Sequence, residues 1–112
     1  MSETIFGQII QGTLPATKVF ENEHILAIED IHPIAPIHIL IMPKKEIADL
    51  QSLMSEDLHL IAEIVQVAQM LARQLGIEEG YRLLTNHGSM AGQTIFHLHF
   101  HLIGGRHLGS MG

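Results

Sequence analysis

Residues 96–103, with the sequence Phe-His-Leu-His-Phe-His-Leu-Ile, constrain the fold of this chain more than any other stretch. Polar and apolar side chains alternate along it. Because successive side chains of a β-strand point to opposite faces of a sheet, the alternation predicts a strand. One face of that strand is apolar and suits a core, and the other carries the imidazoles of His97, His99 and His101. Because the ordinary pKa of histidine lies near neutral pH, this face of the strand predicts a functional site.

Four further segments predict the rest of a sheet. Each is short, rich in apolar and β-branched residues, and bounded by residues that form turns. They are residues 18–21, 25–30, 38–42 and 81–85. Because short connections join antiparallel strands, we expect an α+β fold on an antiparallel sheet of about five strands, in a single domain that spans residues 1–112.

The remaining periodic segments predict one long helix and one or two short ones. Residues 4–11 form a short amphipathic helix that Gly12 ends, and residues 46–53 form a short helical connection. The long helix begins at Ser55, a favourable N-cap residue, and Gly76 ends it. We expect the apolar residues that recur along it at three- and four-residue spacing to face the core: Leu58, Ile61, Ala62, Val65, Ala68, Ala72 and Leu75.

The composition argues against several classes of partner and site. The formal net charge of −6 disfavours nucleic acid or an anionic membrane as a partner, because both need clustered Lys and Arg. The chain has no cysteine, which excludes disulfides and thiolate metal sites. No apolar run reaches the roughly 18 residues of a membrane helix, and Glu3 stands where a signal peptide carries basic residues. We therefore expect no membrane span, no signal peptide and a cytoplasmic location.

The three histidines could serve either metal binding or nucleophilic catalysis. Along a straight strand His97 and His101 lie about 13 Å apart, too far to share a zinc ion that needs nitrogen at about 2.0–2.1 Å. Two of the three, joined by His38 from a neighbouring strand, could bind one metal ion. Alternatively, neutral imidazole is a nucleophile at pH 7, and the central residue His99 could attack phosphorus while its neighbours orient it or move protons.

The loop of residues 86–93 favours the second kind of chemistry. Gly88 and Gly92 let the backbone approach an anion closely, and the N–H groups of Gln93 and Thr94 are available as donors. The Thr94 hydroxyl could hold a phosphate or a leaving group. A glycine-containing loop beside three histidines therefore predicts a phosphoryl-transfer site.

These residues resemble a known family. The run His97-Leu98-His99-Phe100-His101-Leu102-Ile103 resembles the His-φ-His-φ-His-φ-φ signature of the histidine-triad (HIT) superfamily, where φ is apolar. Further stretches extend the resemblance over nearly the whole chain to the Hint branch, the purine nucleoside phosphoramidases: residues 5–10, 26–31, 35–38, 41–45, 80–82 and 104–106, with Asn86, Gly92 and Gln93. The resemblance implies a HIT-like fold and a homodimer. In this dimer the two sheets join into one continuous sheet and the long helix contributes to the interface.

The resemblance also implies an activity and a role for each histidine. The activity is hydrolysis of the P–N bond of purine nucleoside 5′-phosphoramidates through a covalent nucleotidyl-histidine intermediate. His99 matches the nucleophile, and His101 matches a residue that contacts the phosphate and protonates the departing group. His97 and His38 match the histidines that surround and orient the nucleophile. No metal or other cofactor is expected, because imidazoles and loop amides can manage the charge.

Other matched positions would bind a purine nucleotide of the AMP or GMP type. Asp30 stands where the family accepts hydrogen bonds from the ribose hydroxyls, and Ile31 would cover the base. The base cleft would be lined by Ile5, Phe6 and Leu40. The phosphate and leaving group would be surrounded by Asn86, Gly92, Gln93 and Thr94. Two alternatives remain open: a non-catalytic nucleotide-binding or scaffold protein, and a dinucleoside polyphosphate hydrolase of a related HIT branch.

Overall fold

The computed structural model describes residues 4–111 and shows an α+β fold built on one five-stranded antiparallel sheet. The strands are β1 (Lys18–Glu21), β2 (Ile25–Glu29), β3 (Ile37–Pro43), β4 (Tyr81–Leu84) and β5 (Phe100–Gly104). Their order across the sheet is β1-β2-β3-β5-β4, so β3 and β5 are central neighbours. The predicted fold class and strand count are confirmed. Glu3, on which the signal-peptide argument depends, lies outside the described residues.

One helix covers each face of the sheet. Helix α1 (Ile5–Gln11) packs through Phe6 and Ile9 on Leu26, Ile28, Leu40 and Met42. Helix α2 (Leu58–Gln74) packs on the opposite face, on Ile25, Ala27, Ile39, Ile41 and Leu102. The residues of β2 and β3 thus alternate between the two helices, as the period of two requires. None of the helices in residues 4–111 is long and apolar enough to cross a membrane.

The predicted helix at residues 46–53 is wrong. Only Leu50–Ser52 forms a single 3₁₀ turn, which Asp49 caps through Ser52 N. The carbonyl of Ile47 instead accepts a hydrogen bond of 2.7 Å from Leu98 N. This long-range bond fixes the segment against the histidine-containing stretch, and nothing in the local sequence encodes it.

The long helix differs from its prediction at its start and on its buried face. It begins at Leu58 rather than at Ser55, because Ser55–Asp57 forms a 3₁₀ turn in which the Asp57 carboxylate accepts from Met54 N and pairs with Lys45. The buried side chains are Leu60, Ile64, Val67, Ala68, Leu71 and Ala72. Of the predicted core residues, Leu58, Ala62, Val65 and Leu75 are exposed. Helix α2 is therefore apolar on a second face that points away from the sheet.

Candidate functional site

A cavity of about 590 Å³ lies on the α1 side of the sheet. Its apolar lining comprises Ile5, Phe6, Ile9, Leu14, Pro15, Ala16, Ile28, Ile31, Leu40 and Ile95. Its polar lining comprises Glu29, Asp30, His32, Asn86, Gly92, Thr94, His99 and His101. The volume suits a small organic ligand, and an apolar wall with a few convergent polar groups is the usual composition of a ligand site.

The histidine-containing stretch is not one continuous strand, contrary to the prediction. Strand β5 begins only at Phe100, and residues 97–99 approach it as an irregular segment. Leu98 N bonds to Ile47 O, outside the sheet, and the carbonyl of His99 accepts a 2.7 Å hydrogen bond from Thr85 Oγ1. These two bonds hold the backbone of the segment away from a regular ladder.

His99 presents an unprotonated nitrogen to the cavity. Its Nδ1 lies 2.7 Å from the carbonyl oxygen of His97, which can only accept a hydrogen bond. Nδ1 therefore carries the proton, and the neutral ring has its lone pair on Nε2. The edge-to-face contact with Phe6, at 4.8 Å between ring centroids, fixes the ring from the cavity side. This is the tautomer that a nitrogen nucleophile needs.

His38 sets the opposite tautomer at His101. Ile34 N–H donates to His38 Nδ1 over 3.1 Å, so the His38 proton lies on Nε2. That Nε2 is 2.9 Å from His101 Nδ1, which must then accept, leaving the His101 proton on Nε2. The rings of His99 and His101 are 5.2 Å apart between centroids. A lone pair on one imidazole and an N–H group on the next are thus neighbours at the cavity wall.

Burial keeps these imidazoles neutral. It lowers the pKa of His99 and of His38 below the ordinary value of 6.5, because desolvation disfavours the charged form. Burial, with the like charges of His99 and His38, lowers the pKa of His101 to about 4, and the Asp30 carboxylate opposes that shift. At pH 7 the His99 lone pair is therefore available without prior removal of a proton.

The imidazole of His97 points away from the cavity. It is 2% exposed, and its Nε2 lies 2.8 Å from the carbonyl oxygen of Pro43. Because a carbonyl only accepts, this nitrogen carries the proton and donates. The part of His97 that contacts His99 is its backbone carbonyl, whose bond to His99 Nδ1 does not depend on the side chain.

Gln93 is also buried and does not line the cavity. Its Oε1 accepts from Gly88 N over 2.8 Å, and its Nε2 donates to the carbonyls of Ala48 and Ile95 over 3.0 and 3.2 Å. All of these bonds shape the loop. Gly92, with a φ of +93°, lies in the left-handed region that favours glycine, and it lines the cavity together with Thr94.

Five further matched positions line the cavity. Ile5, Phe6, Ile31, Leu40 and Asn86 line the cavity, with Ile31 84% exposed at its rim. The cavity-lining residues that the sequence analysis did not single out include Ile9, Leu14, Pro15, Ala16, Glu29 and His32. The spacing of α1 is a signal for Ile9, which follows Ile5 by four residues. The others lie in irregular segments or at a strand end, where no periodicity indicates a direction.

Asp30 lies between the cavity and the two bonded histidines. Its Oδ1 accepts from His32 N over 2.8 Å, and its Oδ2 is 3.3 Å from His38 Nε2. One donor atom from each of Asp30, His38 and His101 lies within 4.8 Å of the other two, so this trio could hold a metal ion. An ion bound through His38 Nε2 and His101 Nδ1 would take the two nitrogens that otherwise bond to each other. It would replace the hydrogen bond between His38 and His101.

One family model and several known proteins match this chain. The model of the HIT domain matches residues 11–108. An uncharacterized HIT-like protein of Chlamydia muridarum is 49% identical over 108 residues, which cover 96% of this chain and 86% of that protein. The crystal structure of a HIT family hydrolase from Legionella pneumophila Philadelphia 1 is similar with a TM-score of 0.93 and 46% identity, covering 96% of each chain. A histidine triad nucleotide-binding protein from Candida albicans is similar with a TM-score of 0.81 and 36% identity, covering 89% of this chain and 73% of that one.

Proposed function

Since the chain belongs to the HIT domain family, we propose that it is a hydrolase of the Hint branch that cleaves the P–N bond of purine nucleoside 5′-phosphoramidates. The observation that carries the proposal is the pair of opposed tautomers: a free lone pair on His99 Nε2 beside an N–H group on His101. The hydrolase named in Legionella pneumophila and the nucleotide-binding protein named in Candida albicans support the reaction class and the ligand class.

The first step is an attack on phosphorus by His99. Its Nε2 lone pair forms a bond to phosphorus, and the P–N bond breaks with its electron pair going to the leaving nitrogen. His101 first takes a proton from solvent on Nδ1, because the negative charge of the bound phosphoryl group stabilises an imidazolium. The His38 Nε2–H group then donates to Asp30 Oδ2, 3.3 Å away, instead of to His101. His101 then gives its Nε2 proton to the leaving amine. The products of this step are a free amine and a nucleotidyl–His99 intermediate.

The second step is hydrolysis of that intermediate. His101, now neutral, accepts a proton from the attacking water, and the oxygen of that water bonds to phosphorus as the P–N bond to His99 breaks. The electron pair returns to His99 Nε2. One water is consumed, and a nucleoside monophosphate and an amine are released.

The apolar part of the cavity supports a nucleoside as the group that is transferred. Ile5, Phe6 and Leu40 offer an apolar surface on which a purine can pack, and Ile31 at the rim can cover its outer face. The carboxylate of Asp30 has lone pairs left to accept from ribose hydroxyls beyond its bond to His32 N. The cavity lining thus offers matching chemistry for base, ribose and phosphate.

A substrate panel tests this proposal. We expect adenosine 5′-phosphoramidate to release AMP, measured by chromatography, at a rate that excess chelator leaves unchanged. Diadenosine polyphosphate should react far more slowly. Preferential hydrolysis of the polyphosphate would contradict the Hint branch, and loss of activity with chelator would instead favour a metal at Asp30, His38 and His101. Nucleotide binding with no hydrolysis of either compound would favour the scaffold alternative.

We also propose that two copies pair into a homodimer with one continuous sheet. Strand β4 is an edge strand within the described part of the chain, and Tyr81 at its start is exposed. The exposed apolar face of α2, which includes Leu58 and Val65, offers further area that association could bury.

We expect sedimentation velocity to give the mass of two chains and Val65→Glu to shift it toward one. The matched control Gln66→Glu, at an exposed position of the same helix, should remain dimeric. A wild-type monomer at tens of micromolar would contradict the proposal.

A further inference from the structure

The segment that follows β5 is hydrogen-bonded to the loop that precedes β3. Arg106 donates two hydrogen bonds to the carbonyl oxygen of Ile34, from Nε over 3.1 Å and from Nη2 over 2.8 Å. A third bond, from Nη1 to the carbonyl of His107, holds the guanidinium against its own segment. Gly105 allows this arrangement, because its φ is +95° and a Cβ there would lie 3.1 Å from Pro36 Cβ. The two segments are therefore in close contact beside Ile34.

Ile34 connects the Arg106 hydrogen bonds to His38 in the site. Its carbonyl accepts from Arg106, and its N–H donates to His38 Nδ1. Most of the loop is otherwise exposed, and the Ile34 side chain is 57% exposed, so it does not anchor the loop by burial. The planar guanidinium, with two N–H groups on one oxygen, fixes both the position and the orientation of the Ile34 backbone.

We propose that Arg106 is a positioning residue that selects the tautomers of His38 and His101. With the Ile34 N–H held on His38 Nδ1, the His38 proton must lie on Nε2, and His101 must carry its own on Nε2. Without that donor, the Asp30 carboxylate 3.3 Å from His38 Nε2 still favours a proton on that nitrogen. His38 Nδ1 can then hold the proton in only part of the molecules, and in these His38 Nε2 becomes an acceptor. His101 Nδ1 then donates to it, and His101 Nε2 faces the cavity without a proton. Two lone pairs, on His99 and on His101, would then meet an anionic phosphoryl group.

The test compares Arg106→Gln with a matched control, Arg82→Gln. Arg82 also fastens the C-terminal segment, through a 2.8 Å bond from Nη2 to the carbonyl of Gly109, but it does not contact Ile34. Long-range ¹H–¹⁵N spectra of histidine-labelled protein report which ring nitrogen carries the proton. We expect Arg106→Gln to mix the tautomers of His38 and His101 and to leave that of His99 unchanged. Arg82→Gln should retain the wild-type tautomers at all three residues.

The kinetic readout rests on the proposed function. Arg106→Gln should lower kcat for the phosphoramidate by about 3- to 10-fold with KM changed by less than about twofold, because a charge-assisted hydrogen bond at an exposed site is lost and the base cleft is untouched. Arg106→Lys keeps the charge but not the fork, so it should not restore kcat.

The outcomes separate this inference from the proposed function. Wild-type tautomers in Arg106→Gln would overturn the inference, whichever substrate the protein hydrolyses. The same tautomer shift in Arg82→Gln would also overturn it, since the cause would then be general loosening of the C-terminal segment. A shift confined to Arg106→Gln in a protein that does not cleave phosphoramidates would support the inference and contradict the proposed function.

Discussion

Replacing His99 by alanine should abolish hydrolysis of an adenosine phosphoramidate and leave nucleotide binding almost unchanged. The variant removes the nitrogen that, in the proposed mechanism, attacks phosphorus. His101 cannot take over, because its Nδ1 accepts from His38 and its Nε2 carries a proton. We expect kcat to fall by about 10⁴-fold or more, as is typical when a nucleophile is removed. The affinity for AMP, measured by calorimetry, should stay within about threefold, because the apolar lining and Asp30 are retained.

A control and a trapping experiment make this prediction specific to one ring. His87→Ala, at an exposed histidine outside the cavity lining, should keep wild-type kcat. A slowly hydrolysed adenosine phosphoramidate should label the wild-type protein with one nucleotidyl group, and peptide mass spectrometry should place it on His99. Labelling of another side chain, or turnover by His99→Ala at more than about a tenth of the wild-type rate, would contradict the assignment of the nucleophile.

The pH dependence of the wild-type enzyme tests the same residue from another direction. Burial lowers the pKa of His99, so the neutral nucleophile persists below pH 6.5, and the acid limb of kcat/KM should lie below that value.

The stability of the fold should change in the same pH range. The pKa values of His38, His97, His99 and His101 are all lowered in the fold, so the unfolded chain binds more protons as the pH falls below 6.5. Stability is thus full above pH 6.5 and is lost toward the His101 pKa of about 4, so circular dichroism at each pH must accompany the rates.

The sheet could be predicted because its information is local. Every strand carries a short apolar pattern, and the register of β2 against β3 follows from the alternation that places Leu40 on the α1 side and Ile41 on the α2 side. The connection at residues 46–53 could not be predicted, because the bond from Leu98 N to Ile47 O decides its course. For α2, two apolar faces are present in the sequence, and only the sheet determines which of them is buried.

The site could be predicted as a set of residues but not as a geometry. The alternation of histidines indicates which residues matter, and a strand would place all three imidazoles on one face. The actual tautomers depend on partners that the alternation does not indicate. For His97 the partner is Pro43 O, which is distant in sequence, and for His38 it is the loop N–H of Ile34, which acts through His38 on the distant His101. Likewise, the hydrogen bonds of the buried Gln93 side chain are made with Ala48 and with its own loop. Neither a partner distant in sequence nor one in an irregular loop leaves a periodic signal.

Replacing His97 by alanine should destabilise the protein strongly and affect the chemistry much less. The buried imidazole donates to the carbonyl of Pro43, so its removal leaves a buried carbonyl without a partner and a cavity at a site that is 2% exposed. Together these changes should lower the free energy of unfolding by about 2–4 kcal/mol, measured by urea denaturation. The backbone carbonyl of residue 97 remains, so the bond that fixes the His99 tautomer is retained. Below its melting temperature, the variant should therefore keep kcat within about tenfold of wild type.

This combination of effects distinguishes a structural imidazole from one that acts on the nucleophile. The resemblance to the histidine-triad family assigns His97 to orienting His99, and the structure places that contact in the main chain rather than in the ring. His97→Gln places its amide nitrogen near the position of His97 Nε2 and can still donate to Pro43 O, so it should recover part of the stability lost in His97→Ala. His87→Ala, at an exposed site, should change stability by less than about 0.5 kcal/mol. A stable His97→Ala protein that loses turnover as completely as His99→Ala would show that the ring itself takes part in catalysis. The Pro43 contact would then be incidental to its role.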